Sequence, residues 1–130
     1  MTQHRLKASV QNCHWGYFDA TRAPVLTVES GDQVTIDCVS GVPAVVPKSG
    51  FHVPPELLEV HAANPGYPFG PHILTGPIAV KGAKPGRVLE VRILDVHPRP
   101  CCNPAFSGRT FGSNAAAWWG FHCLYRAAGD

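Results

Sequence analysis

Apolar and polar residues alternate over residues 24–40, and this pattern predicts two short strands joined by a turn at Gly31 and Asp32. A period of two places one row of side chains in a core and the other row in solvent. Gly-Asp between such runs supplies a tight turn, although it is not the strongest hairpin signal. The apolar row consists of Leu26, Val28, Val34 and Ile36.

Two later runs predict further strands. Residues 78–82, IAVKG, form a short one, and residues 87–96, RVLEVRILDV, have the clearest strand pattern after a turn at 84–86. In that run Leu89, Val91 and Ile93 should face one way, whereas Glu90 and Arg92 should face the other. Residues 67–77 predict a proline- and glycine-rich loop, and no strand period is convincing from residue 98 onward.

Residues 53–63, VPPELLEVHAA, predict a single short helix. Pro55 suits the first helical position, and the carboxylate of Glu56 lies favourably near the positive helix end. The run Asn64-Pro65-Gly66 ends the helix. Several short strands with one minor helix predict a mainly β fold of the β-sandwich type. A βαβ fold would need regular helices between the strands.

Charge and composition exclude several classes of protein. The net charge of +2 comes from scattered residues, whereas a nucleic-acid surface needs clustered cations, so no nucleic-acid partner is expected. The longest uncharged stretch, residues 60–80, is broken by Pro, Gly and His, so no membrane span is expected. The N-terminus lacks the apolar region of a secretory signal, which predicts a cytoplasmic protein. The 5 cysteines show no zinc-site spacing and are interpreted as reduced thiols.

Five segments follow one another along the chain: HWGYFD (14–19), PVLTVESGDQVTID (24–37), VPPELLEVHAA (53–63), GPHILTGPIAVKGAKPG (70–86) and VLEVRILDV (88–96). Together, and in this order, they resemble the acetamidase/formamidase family. SNAAAWWGF at 113–121 is also similar to a segment in one branch of that family. The resemblance implies a β-rich sandwich that hydrolyses carbon–nitrogen bonds other than peptide bonds in linear amides such as formamide and acetamide.

Members of that family are substantially longer than 130 residues. Their later half carries further acidic, histidine and glycine segments that contribute to the active site. The resemblance therefore implies that residues 1–130 form the N-terminal part of such a domain, with an incomplete fold and the C-terminal half absent.

Amide hydrolysis needs a nucleophile, stabilisation of the oxyanion and a proton for the leaving ammonia, and a bound divalent metal can supply the first two. His72, in GPHILTGP, is the strongest candidate for a catalytic residue and metal ligand, mainly through the resemblance. Neighbouring glycines and prolines fix its loop and allow close approach of a ligand. Asp37 ends a strand beside a glycine-bearing loop, where it is either a metal ligand and general base or a cap of the following turn.

Four further side chains complete the candidate site. His61, near the helix end, is either a third metal ligand or a favourable partner of the helix dipole. Zinc is the expected ion, although His and carboxylate ligands also suit its competitors. His14, Trp15 and Tyr17 either line the pocket for a small amide or pack in the sandwich core.

The alternatives to a metal-dependent amidase differ from it in chemistry or in class. An amidase with a cysteine nucleophile needs an activated thiolate, and nothing in the spacing couples Cys38 to Lys81. Type-1 copper fails because the only methionine is Met1. The second hypothesis is a catalytically inactive remnant that acts as a binding or assembly module. An incomplete sandwich exposes strand edges and apolar surface, which favours pairing with a second chain and predicts a homo-oligomer.

Overall fold

The computed structural model describes residues 1–41, 43, 53–65, 72–98 and 121–127, the last seven and Pro98 by their backbone alone. This part of the chain is mainly β with one short α-helix, as predicted. Most of residues 41–52, the residues that precede His72 in GPHILTGP, and residues 113–120 lie outside the described part of the chain. Its elements are β1 (Gln3–Leu6), β2 (Cys13–Trp15), β3 (Leu26–Val28), β4 (Gln33–Asp37), α1 (Pro55–Ala63), β5 (Ile73–Thr75), β6 (Ile78–Val80), β7 (Val91–Pro98) and β8 (Phe121–Ala127).

The strands form three sheets. A four-stranded sheet has the order β1-β4-β8-β7, and two-stranded sheets join β2 to β5 and β3 to β6. The β1–β4 and β3–β6 pairs are parallel, whereas the β2–β5, β4–β8 and β7–β8 pairs are antiparallel. The predicted strands β3 and β4 both exist, but they belong to different sheets rather than to one hairpin. The turn between them, closed by the 3.2 Å bond from Asp32 N–H to the Glu29 carbonyl, carries the chain from one sheet to the other.

One apolar cluster joins the four-stranded sheet to the β3–β6 pair. The alternation predicted over residues 24–40 is confirmed, because Val28, Val34 and Ile36 are buried together while Leu26 packs against them. A period of two thus turns one row of each strand toward a shared interior. The cluster consists of Leu6, Val28, Val34 and Ile36, with Leu26, Cys38, Ile78 and Val80 packed against it.

A second apolar cluster packs helix α1 onto the β2–β5 pair. The helix has Pro55 in its first turn, as predicted, and it ends where the N–H of Asn64 donates to the His61 carbonyl. Leu57 and Val60 face the strands, whereas Leu58 points outward. The buried members of the cluster are Ala8, Cys13, Trp15, Val39, Leu57, Val60 and Ile73.

The clearest predicted strand differs from the observed one. Strand β7 begins at Val91 rather than at residue 87, and its pairing with β8 shifts register between Ile93 and Asp95. Its apolar residues remain exposed, with Ile93 at 64%. Strand β7 is the outer strand of its sheet, and no described element covers these side chains.

Strands β5 and β8 lie where no strand was predicted. Strand β5 occupies part of the expected loop at 67–77, and its Ile73 is buried against α1. Strand β8 lies in the C-terminal stretch that had no convincing period. Both strands are defined by pairing with other segments of the chain. Strand β5 pairs with β2, and β8 pairs with β4 and β7. Within the described ranges, no helix is long and apolar enough to cross a bilayer.

Candidate functional site

Asp37 is a buried carboxylate at the end of β4, and the guanidinium of Arg5 neutralises it. Arg5 Nη2 lies 3.3 Å from Oδ1 and 3.1 Å from Oδ2, and Nε lies 3.4 Å from Oδ2. The parallel pairing of β1 with β4 sets Arg5 opposite Thr35, so its long side chain reaches two residues further along. Charge-assisted bonds of this kind hold a carboxylate in one orientation.

The carbonyl of Asp37 also connects its strand to β5. It accepts a 3.2 Å hydrogen bond from the hydroxyl of Thr75. The same hydroxyl lies 3.6 Å from Cys13 Sγ in β2. These contacts therefore connect the end of β4 to the β2–β5 pair. Strand β2 carries His14, and β5 begins directly after His72.

His14 lies on β2 and is almost completely buried. Its Nε2 atom donates to the main-chain carbonyl of Tyr17 at 3.0 Å. The Tyr17 ring stands edge-on to it, with centroids 6.2 Å apart. No described group forms a hydrogen bond with His14 Nδ1. Trp15, next along the strand, points to the opposite side and packs in the cluster beneath α1, whereas Tyr17 is partly exposed.

His72 is exposed and comes immediately before β5. Its carbonyl accepts a 2.8 Å hydrogen bond from Gly16, which follows β2. Gly16 has φ of +75°, a left-handed conformation that glycine adopts without steric cost. The backbone at His72 is thus hydrogen-bonded to the residue that follows β2, the strand that carries His14.

His61 is buried in the last turn of α1. Its Nε2 atom donates to the carbonyl of Gly41 at 2.8 Å, and its ring centroid lies 5.4 Å from that of Trp15. These contacts join the helix to the chain that follows β4. In the part of the chain that the structure describes, no three His, Cys, Asp or Glu side chains form a group that could hold a metal ion.

The groups of the cysteine-nucleophile alternative lie apart. Lys81 Nζ pairs with Glu29 at 2.7 Å on the surface, and Cys38 Sγ contacts the Ile36 carbonyl at 3.9 Å. Burial raises the pKa of the Cys13 thiol, and hydrogen bonds from Thr75 and Ser9 offset this only in part. A thiol whose pKa is raised is a poor source of the reactive thiolate.

Sequence reasoning missed Arg5 as a member of this site. The segment QHRL carries no motif, and the contact between Arg5 and Asp37, 32 positions apart, exists only because β1 pairs with β4. Gly16 could have been found, since the glycine in HWGYFD follows directly on two candidate residues.

Three comparisons with known proteins show what this chain is similar to. The model of the acetamidase/formamidase family matches residues 3–129. An acetamidase of Mycolicibacterium smegmatis is 41% identical over 54 residues, which make up 42% of this chain and 11% of that acetamidase. A crystal structure of a recombinant predicted acetamidase/formamidase from the thermophile Thermoanaerobacter tengcongensis matches with a TM-score of 0.48 and 21% identity, covering 73% of this chain and 27% of the other.

The matched regions are a small share of both relatives, so this chain corresponds to only part of the length of each. The family model, in contrast, covers this chain almost from end to end. This agrees with the order of segments seen in the sequence, from HWGYFD to VLEVRILDV. The chain belongs to the acetamidase/formamidase family.

Proposed function

We propose that this protein hydrolyses short linear amides, converting formamide or acetamide to a carboxylate and ammonia. The observation that carries the proposal is the family match over residues 3–129. The acetamidase that is 41% identical over 54 residues supports the same substrate class. Because this chain spans a minor share of that relative, the activity is proposed for the protein to which these residues belong.

The geometry supports a set of roles for the candidate residues. Asp37 and His72 are the proposed catalytic residues, since Asp37 is an oriented carboxylate and His72 an exposed imidazole. His14 and Tyr17 form the proposed wall of the amide pocket. Trp15, which packs in the cluster under α1, would support that wall from behind.

Metal assistance, with zinc as the first candidate, is a further part of the proposal. A divalent ion would acidify a water and polarise the amide carbonyl. The proposed ligands His72, Asp37 and His61 do not by themselves make a metal-holding group among the described residues. His61 Nε2 is bonded to the Gly41 carbonyl and Asp37 to Arg5, so each of these side chains is already oriented by another group of the protein. We therefore assign no catalytic step to an ion.

The experiment that tests the proposal measures ammonia release by the purified protein with formamide and with acetamide. We expect activity with at least one of the two amides and a large loss in His72→Ala. Lys84→Ala, a change at an exposed turn, is the matched control and should retain full activity. Absence of ammonia release with both amides would overturn the proposal. Metal analysis and exhaustive chelation test the metal separately, because undiminished activity after chelation would contradict it alone.

A second candidate function, an assembly module, is favoured by the exposed apolar side chains of β7 and the residues before it. Val88 and Ile93 are exposed at 95% and 64%. Apolar patches of this kind favour association, so we propose a homo-oligomer as the form of the protein. Size-exclusion chromatography should show an oligomer that Ile93→Lys weakens and that Val25→Lys, away from this run, leaves unchanged. A monomer at all concentrations would contradict this second function.

We also propose a cytoplasmic location. Cys13 is a buried free thiol in the structure, and reduced cysteines are typical of that compartment. Cell fractionation with a tagged protein tests the location, and recovery from the medium or the periplasm would contradict it.

A further inference from the structure

The His14 ring uses only one of its two nitrogen atoms. Its side chain is buried, at 8% exposure, and Nε2 lies 3.0 Å from the main-chain carbonyl of Tyr17. A carbonyl oxygen can only accept a hydrogen bond, so Nε2 carries the proton of this contact. The other nitrogen, Nδ1, has no hydrogen-bond partner among the described residues.

This contact fixes the tautomer of the ring. In the neutral imidazole with a proton on Nε2, Nδ1 presents a lone pair and acts as an acceptor. The hydrogen bond to Tyr17 therefore leaves Nδ1 as the acceptor of the neutral ring.

The direction of that acceptor is fixed by its surroundings. His14 lies opposite Leu74 in the β2–β5 pair, and the next residue but one, Gly16, donates to the His72 carbonyl at 2.8 Å. The edge-on ring of Tyr17 closes another side of the imidazole. Nδ1 has almost no exposed surface, so a donor reaches it only when the groups that cover it move aside. The ring itself is already held in one orientation, which lowers the entropy cost of binding.

Buried polar groups in proteins nearly always have partners, so each exception calls for an explanation. We propose that Nδ1 of His14 accepts a hydrogen bond from the NH2 group of a primary carboxamide, and so orients the substrate. This inference rests on the proposed amide hydrolysis. The lone pair selects an N–H donor and offers nothing to a carboxylate, so the substrate gains a bond that the acid product lacks.

Two substitutions at His14 separate the two ring nitrogens. In His14→Gln the amide nitrogen can take the place of Nε2 and keep the bond to the Tyr17 carbonyl, while the acceptor at Nδ1 is lost. In His14→Asn the side-chain oxygen lies near the position of Nδ1, while the bond to Tyr17 is lost. We expect His14→Gln to keep a melting temperature close to that of the wild type and to lose about 10- to 100-fold in kcat/KM for acetamide. His14→Asn should lose stability but retain more of its amide preference.

The second measurement observes the ring nitrogens directly, by 15N NMR of the labelled protein. The free protein should show an unprotonated Nδ1 and a protonated Nε2. Addition of acetamide should shift the Nδ1 resonance, because the lone pair then accepts a hydrogen bond. Acetone, which has nearly the same shape and carbonyl but no N–H, is the matched control and should leave the resonance in place.

The outcomes distinguish this inference from the function on which it rests. Loss of ammonia release in the wild type itself would overturn the proposed function. Wild-type hydrolysis together with an equally active His14→Gln would overturn the role of Nδ1 and leave the function intact. A proton on Nδ1 in the free protein would also overturn the inference. An Nδ1 resonance that acetamide does not move would do the same, and this is the result expected if an internal water occupies the acceptor.

Discussion

Arg5 Nη2 lies within 3.3 Å of both carboxylate oxygens of Asp37, and this contact joins an outer strand to the buried end of its neighbour. Arg5 is more than half exposed, whereas the side chain of Asp37 is only 6% exposed. The guanidinium of Arg5 thus remains largely solvated, whereas the carboxylate of Asp37 is buried. Such a pair is one-sided, because the buried carboxylate needs the arginine more than the arginine needs the carboxylate.

Replacing Arg5 by alanine should destabilise the fold. The carboxylate of Asp37 would lose its charged partner while remaining buried, at a cost of about 1–3 kcal/mol. Urea unfolding measures the loss. Arg92→Ala is the matched control, because its partner Glu90 is exposed and such pairs contribute about 0–1 kcal/mol. Equal effects of the two substitutions would contradict the structural role of the Arg5–Asp37 pair.

Asp32 should make stability depend on acidity. Hydrogen bonds from the N–H of Thr2, from His4 and from the N–H of Glu29 lower its pKa from 3.8 to about 2. Because the pKa of the folded state lies below that of the unfolded chain, the carboxylate stabilises the fold above about pH 4 and loses this contribution as pH falls toward 2. The difference in urea midpoint between wild type and Asp32→Asn should therefore shrink between these values. A constant difference would contradict this assignment.

The two adjacent leucines of α1 should respond differently to truncation. Leu57 is 1% exposed within the cluster on the β2–β5 pair, whereas Leu58 is 49% exposed. Leu57→Ala removes buried methyl groups and leaves a cavity, at a cost of about 2–5 kcal/mol. Leu58→Ala, the same change one residue away, should cost no more than about 0.5 kcal/mol. Thermal unfolding of both variants makes the comparison, and similar losses would show that the helix faces are assigned wrongly.

Gly16 should be sensitive to any side chain. Its φ of +75° is unfavourable for alanine by about 1–2 kcal/mol, and asparagine should cost less. Gly82, with φ of +84° and open space around it, is the control, because Gly82→Ala carries a similar backbone cost far from the candidate residues. Both alanine variants should lose similar stability in urea, but only Gly16→Ala should lose ammonia release. Equal activity of the two variants would show that the conformation of Gly16 does not affect the candidate site.

Local pattern was enough to predict some of these elements. Helix α1 was predicted with its proline start and its end at Asn64, because both signals are encoded within a few residues. The buried row through Val28, Val34 and Ile36 was predicted from alternation alone. Strands β2 and β5 were not, because all three residues of β2 are buried and show no alternation, and β5 lies in a stretch rich in proline and glycine. They are strands because Cys13 and Thr75, 62 positions apart, face each other across the pair.

The candidate site was less accessible to sequence reasoning than the fold. His72 was singled out mainly by the resemblance, and His14, Asp37 and His61 by their positions in the predicted elements. The partners of these side chains come from register and packing. One ring nitrogen of His14 is bonded to the main-chain carbonyl of Tyr17, and one of His61 to that of Gly41. Because these partners are main-chain atoms, no residue type in the sequence indicates them. Which ring nitrogen remains free is therefore a property of the folded backbone.

The strand order also determines when this chain can become structured. Strand β4 lies between β1, which comes before it in the chain, and β8, which comes much later. Pairings between such distant segments make folding slow. During synthesis, at about 5–20 residues per second, one edge of β4 must wait several seconds for residues 121–127. An unpaired strand edge can pair with other chains, so the nascent protein is most vulnerable to misassociation in that interval.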